Sequence, residues 1–308
     1  MIKNTTNKIF SKKKLNFFAR VKYYFYSSLS FLSYFSYKRY GVLSNYLYKK
    51  YKDILIDEPD TNKIGSNYKT FVFWWHGLDE KTPFVVRTCI SSIRKYSKEV
   101  ILITKDNYFK YVDIPNYIID KVNKGIISLT HFSDILRVSL LYKYGGLWLD
   151  ATVYLNKPFD DISNYSFYSP RLKLSILQKY FPSRGKWAIF ALASSKGSVI
   201  MKNAQNVLFE YHKYSDGLID YFFIDYTLEI QYRFLHYPKE IINKCPFNNA
   251  NINMLNLFLP TLVFLHRFNK RHFDNLSKNT CVFKMTYKYK RKKIKANSYL
   301  NVLSKNVI

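Results

Sequence analysis

The sequence is short of acids, of cysteine and of long apolar runs. Only 21 of its 308 residues are Asp or Glu, against 49 Lys or Arg, which leaves a formal net charge of +28. The three cysteines, Cys89, Cys245 and Cys281, are widely separated and form no C-x-x-C. They support neither a zinc knuckle nor a disulfide framework, and a reducing compartment follows. The longest uncharged run near the start, Tyr23–Tyr37, holds 15 residues and is rich in Tyr and Ser. A spanning helix needs about 20 mainly apolar residues, so this run is too short and too polar to cross a bilayer. With Lys22 and Lys38 on its flanks, it suits either the membrane interface or a helix packed on the main body through its aromatic face. The first residues do not follow a signal-peptide plan, and the expectation is a cytoplasmic protein.

What is present is unevenly spread. Residues 1–52 carry 12 Lys or Arg and no acid, and residues 266–308 carry 12 more with the single acid Asp274. The stretch between them is close to neutral, with 25 basic and 20 acidic residues. A near-neutral centre with two basic ends fits attraction to an anionic surface, phospholipid or nucleic acid, or simply a soluble Lys-rich chain. At 48% hydrophobic residues the chain has enough apolar content for a buried core, which excludes a disordered protein. The expected division is a basic aromatic segment and linker over 1–67, a main domain over 68–290 and a basic tail over 291–308.

Strand and helix signals alternate through the centre. The run from Thr70 to Gly77 (TFVFWWHG) reads as a buried strand, and Pro83 opens a helix over Phe84–Tyr96. A second strand is predicted over Glu99–Lys105, then a short helical piece over Asn107–Val112. Ser128 or Thr130 caps a helix with a core stripe of Ile135, Val138, Leu141 and Tyr142, which Gly145 and Gly146 stop. Leu147–Leu155 reads as one strand. Farther on come a strand over Lys186–Ser195 and helices over Val199–Tyr214 and Tyr221–Leu235. This alternation is the signature of an α/β fold with a mainly parallel sheet flanked by helices.

Asp150 draws the chemistry. It lies at the carboxyl end of Leu147–Leu149, where open α/β sheets bind ligands. On a continuous strand, Asp150 and Thr152 share one face, and a carboxylate beside a hydroxyl can bind a hard divalent cation. A local backbone amide or a basic residue could equally pair the acid. Asp134 and Arg137, three apart, share a helical face. Acid, guanidinium, glycine turn and second acid together suit a sugar phosphate.

The stretch SDILRVSLLYKYGGLWLDATVYL, Ser133 to Leu155, resembles the core motif of bacterial capsular polysaccharide synthesis glycosyltransferases. These are related to glycosyltransferase family 32, with its S-D-x-x-R helix, Y-G-G turn and D-x-D strand. FWWHG at Phe73–Gly77 is similar to the W-x-G element of the first strand. Pro83 and Ser91–Ile93 match the following helix, and FKMTYK at Phe283–Lys288 matches a late K-L-T-Y-K element, so the likeness spans residues 71–288. It implies a GT-A fold, Rossmann-like, and sugar transfer from a nucleotide diphosphate with Mn²⁺ or Mg²⁺. It implies Asp150 at the metal or donor ribose, Asp134 and Arg137 at the donor sugar and phosphate, and Trp75, His76 and Gly77 at the nucleobase. Gly146 belongs to the same donor-binding motif.

The departure is Thr152, which stands where the motif has its second carboxylate. Metal ligation then falls on Asp150, Thr152 and a late histidine, His266 or His272, or else Lys284 and Lys288 neutralise the diphosphate. Retention of anomeric configuration is expected from family 32; under inversion, Asp225 is the candidate base, against its reading as a satisfied helix polar group. The acceptor is expected to be a glycan or a lipid-linked saccharide, with the enzyme peripheral on the inner face of the plasma membrane and no nucleic acid partner. Two other readings use the same features: a nucleic-acid-binding protein with basic arms and 29 tyrosines, or an inactive scaffold that keeps the fold.

Overall fold

Short apolar strands buried on both faces build the centre of the molecule. In the computed structural model, residues 33–172, 181–257, 267–287 and 294–306 are described. In chain order the strands are β1 (Lys69–Phe73), β2 (Glu99–Ile103), β3 (Gly146–Leu149), β4 (Val153–Leu155), β5 (Phe167–Tyr168), β6 (Ala191–Ser194) and β7 (Val282–Lys284). Five form the central sheet in the order β2-β1-β3-β6-β5. β1 pairs in parallel with β2 and β3, whereas β6 runs antiparallel to both β3 and β5. Four of the five strands therefore share a direction, and the expected mainly parallel α/β sheet is present. β4 and β7 form a separate antiparallel pair.

The two faces of the sheet feed two cores. Phe71, Trp148 and Leu192 join Phe132, Ile135 and Leu136 on one side. Val72, Leu147, Leu149 and Ala193 join Val86, Ile90 and Ile93 of the helix Phe84–Tyr96 on the other. Alternate residues of one strand point to opposite layers, as a doubly covered sheet requires. The helix Leu129–Tyr144 is capped by the Ser128 side chain, which accepts from the His131 N–H. Gly145 (φ +68°) ends it, and Gly146 (φ +95°) starts β3 so close to β1 that a Cβ there would meet the Lys69 carbonyl. The glycine pair is what lets helix and strand meet without a loop.

Three strand expectations change. The strand expected over Thr70–Gly77 ends at Phe73, and Trp75–His76 form a turn. The strand expected over Lys186–Ser195 is confined to Ala191–Ser194. Leu147–Leu155 is two strands in different sheets, separated by a turn that the Val153 N–H closes on the Asp150 carbonyl at 2.8 Å. The period-two argument for Asp150 and Thr152 therefore does not apply to them. Helices Asn116–Asn123 and His236–Asn243 were not anticipated.

The helix Ser33–Tyr51 packs on the main body: Tyr40, Leu43, Leu47 and Tyr51 are buried, and Tyr48 stacks on Phe234 with ring centres 4.1 Å apart. The segment after it is tied down as well, since Asn203 exchanges two 2.8 Å hydrogen bonds with the Ile56 backbone. Most of the aromatic run Tyr23–Tyr37 lies outside the described residues. Among the described residues, no helix is long and apolar enough to cross a membrane.

Candidate active site

The site is assembled where the carboxyl ends of β1 and β3 face the helix Leu129–Tyr144. One turn of that helix places Asp134 and Arg137 side by side, and both are buried. Arg137 donates through Nη1 to Asp134 Oδ1 at 2.6 Å and through Nη2 to Asp150 Oδ1 at 2.9 Å. The Trp148 indole N–H donates to the same Asp150 oxygen at 2.9 Å. Lys284, from β7, donates to Asp150 Oδ2 at 2.6 Å. The guanidinium also lies 5.0 Å from the centre of the Trp148 ring, a cation–π distance.

These contacts set the charges. Burial alone would push the Asp150 carboxyl up, but the Lys284 ammonium and the Arg137 guanidinium outweigh it and hold it below the usual carboxylate range. Burial would likewise pull Arg137 down, and the charges of Asp134 and Asp150 reverse that and raise it. Opposite charges thus favour the ionised forms of Asp150 and Arg137 against the cost of burial. Behind Asp134, His131 Nδ1 lies 3.5 Å from its Oδ2, and His131 Nε2 lies 2.8 Å from His212 Nε2.

A cavity of about 590 Å³ opens over this cluster, within the range of small-molecule sites. Asp134, Arg137, Asp150, Thr152, Lys284, Trp75 and His76 all line it. Trp75 is braced by Tyr108, whose ring is 5.9 Å away and nearly parallel at 29°. Gly77 and Gly146 are not among the lining residues; Gly146 serves the close approach of β3 to β1 described above. His272 is also absent from the lining, and its Nδ1 pairs with the Tyr299 hydroxyl at 2.8 Å. His266 and Lys288 lie outside the described residues.

Sequence reasoning undervalued one wall. Asp225, in the first turn of the helix Phe223–Phe234, lines the same cavity. Its Oδ1 accepts from the Trp187 indole N–H at 2.9 Å, and burial pushes its carboxyl up to about 7. Trp187 itself gave no signal, being a lone aromatic in a run read as strand.

A divalent cation needs several oxygen ligands. The two Asp150 oxygens already accept from three donors between them, Arg137 and Trp148 on Oδ1 and Lys284 on Oδ2. Thr152 adds only a neutral hydroxyl, and among the described residues no group of three His, Cys, Asp or Glu could hold a metal ion. The donor set does not fit a metal held by these residues alone.

The sequence profile of the capsular polysaccharide synthesis protein family matches residues 20–303. The chain is 28% identical over 109 residues to the O-glycosyltransferase braB of Annulohypoxylon truncatum, covering 32% of this chain and 26% of that relative's length. Among solved structures it is similar to the PaToxG glycosyltransferase, at 13% identity over 70% of this chain and 80% of that one, with a TM-score of 0.39. It is also similar to the apo WbbM bifunctional glycosyltransferase, at 7% identity over 82% and 51%, with a TM-score of 0.40.

Proposed function

The chain belongs to the capsular polysaccharide synthesis protein family, and on that premise we propose that it moves a sugar from a nucleoside diphosphate donor to a glycan or lipid-linked saccharide. The observation that carries this reading is the meeting of Asp134, Arg137, Asp150 and Lys284 in one cavity at the carboxyl ends of parallel strands. That arrangement also supports a GT-A fold. Carboxylates accept the hydroxyls of a sugar, the cations answer a diphosphate, and Trp75 offers an aromatic wall for a nucleobase.

In this reading the bond between the anomeric carbon and the diphosphate breaks, and its electron pair stays on the phosphate oxygen. Arg137 and Lys284 stabilise the charge collecting there. The acceptor oxygen bonds to the anomeric carbon, on the face the diphosphate leaves, and its proton passes to the departing phosphate. Retention rests on the likeness to family 32. The chain's own work is positioning and charge stabilisation.

The basic ends add a location. Each Lys or Arg near an anionic leaflet contributes about 1 kcal/mol, so residues 1–32 and the C-terminal basic run hold the enzyme at the inner face of the membrane. Removing all of residues 1–52 would also remove the buried Tyr40, Leu43, Leu47 and Tyr51. Replacing Lys12, Lys13 and Lys14 by Gln is the cleaner variant, and its binding to anionic vesicles should fall while binding to neutral vesicles stays unchanged. The function is tested by incubating the protein with UDP- and GDP-sugars and lipid-linked or oligosaccharide acceptors, with the product anomer read by NMR. Failure to bind or turn over any donor overturns the reading.

A further inference from the structure

Asp225 is a buried acid that the reading above leaves without work. Its Oδ1 is fixed by Trp187, a tryptophan only 1% exposed. Among the described residues no ion pair reaches the carboxyl, and no hydrogen bond reaches Oδ2, although the residue lines the cavity. A carboxyl buried with one neutral donor is costly to keep. A purely structural acid at this depth gathers more partners, as Glu229 does one turn later with Lys186 at 3.3 Å and Arg184 at 3.6 Å.

The surrounding charges place it within the site. From the helix Leu129–Tyr144, Asp134 raises its affinity for a proton and Arg137 lowers it, and Asp220 in the preceding turn raises it. From the helix Ser33–Tyr51, Arg39 pairs with Asp220 at 3.5 Å, and Tyr40 feels both acids. From the helix Val199–Lys213 comes His212, which burial holds neutral by lowering it to about 3; its ring faces that of His131 on the helix Leu129–Tyr144. Lys186, beside Trp187, is engaged by Glu229. Asp225 thus belongs to the Asp134 end of the cavity, Lys284 and Asp150 form the other, and Arg137 bridges the two.

We propose that Asp225 is a catalytic residue whose open oxygen faces the donor sugar, and whose ionised form stabilises the positive charge that builds at the anomeric carbon as the diphosphate departs. The proposal rests on the transfer reading above, and the proton balance given there is unchanged: Asp225 takes no net proton. It assigns the sugar to the Asp225 end and the diphosphate to the Lys284 end. The carboxyl, poised near neutrality, is ionised in the upper half of the working pH range.

The test uses Asp225→Asn, which keeps an oxygen for Trp187, with Asp225→Ala beside it. Calorimetry gives the affinities of UDP and GDP and of the corresponding nucleotide sugars, and transfer rates are followed from pH 5.5 to 8.5. In the wild type, kcat should rise through about pH 7 and level off; in Asp225→Asn that limb should vanish and kcat at pH 8 should fall about a hundredfold. The affinity for the bare nucleoside diphosphate should stay within twofold, while the extra affinity conferred by the sugar is lost. An intact pH limb, a kcat within about threefold of wild type, or an equal loss of bare-nucleotide affinity would overturn the proposal. If no transfer is seen with any donor, the transfer reading has failed. The ratio of nucleotide to nucleotide-sugar affinity then still decides the role of Asp225, and a ratio unchanged by the substitution rejects it.

Discussion

Asp150 and Asp225 line one cavity and are held in opposite ways. Asp150 meets three donors on its two oxygens, two of them cationic, and its carboxyl sits below the ordinary range. Asp225 meets a single neutral donor, and its carboxyl is pushed up to about 7. The same side chain becomes a permanent anion at one end and a titrating group at the other, and environment alone makes the difference. The permanent anion aligns Arg137 and Lys284, the pair that in the proposed reading answers a diphosphate. The titrating one is free to respond to what the donor brings.

The comparison breaks most sharply at its fixed end. Asp150→Asn keeps the shape but removes the charge that aligns Arg137 with Lys284, and transfer should drop about a thousandfold. Asp134 still pairs with Arg137, so the fold should survive with a melting temperature lower by only a few degrees. Initial rates with saturating donor and a thermal melt check both halves. Undiminished turnover would remove Asp150 from the mechanism.

The titrating end has a signature in stability. The usual aspartate value is 3.8, against about 7 in the folded protein. Below the unfolded value both states hold the proton. As pH rises from there, the unfolded chain ionises first, so stability falls until the folded carboxyl ionises near 7. Asp225→Asn escapes that loss. The variant should therefore gain on wild type as pH rises, by a few kcal/mol and at most ~4 kcal/mol at pH 8, with no gain near pH 4. Urea midpoints at pH 4, 6 and 8 measure it; an offset independent of pH would show that the acid is ionised throughout.

The fixed end was legible in the sequence and the titrating end was not. Ser128, the three-and-four spacing and Gly145 are local signals, and they delivered the helix carrying Asp134 and Arg137 close to its observed bounds. The likeness of FKMTYK to a late family element brought Lys284 in, though its partner Asp150 is 134 residues away. No local signal pairs Trp187 with Asp225, 38 residues apart, so Asp225 read as one polar residue in an aromatic helix. The break after Leu149 escaped for a related reason. LWLDATVYL has unbroken strand character, and it turns at Asp150 because β4 finds its partner in β7 and not in the central sheet. β5, two residues long, is too short to show any period.

Lys284 tests whether the charge at the fixed end comes from the chain. Among the described residues, it and Arg137 are the two Lys or Arg side chains that line the cavity. Lys284→Ala should weaken UDP or GDP binding about tenfold, the value of one charge-assisted hydrogen bond. Chelation of divalent ions with EDTA should weaken wild-type binding by less than that. A larger effect of EDTA than of the substitution would mean that a metal carries the diphosphate.

The smallest expected effect is also the most specific to this sequence. Thr152 stands two residues after Asp150 and contributes a hydroxyl with no charge, while its backbone carbonyl is engaged by the Met285 N–H at 2.8 Å. Thr152→Asp adds a carboxylate at the cavity wall without touching that backbone contact. A second acid gives a divalent ion the two carboxylates it commonly uses alongside substrate phosphates, and it also competes for Lys284. Without metal, the added negative charge should weaken nucleotide binding a few-fold, about 0.5–1 kcal/mol at a partly exposed position. Millimolar Mn²⁺ or Mg²⁺ should restore it in the variant and change the wild type by less than twofold. Calorimetric titrations with and without metal read the difference. An equal metal response in both proteins would mean that Thr152 already serves as the second ligand, and that the two cationic side chains are not what distinguishes this end of the cavity.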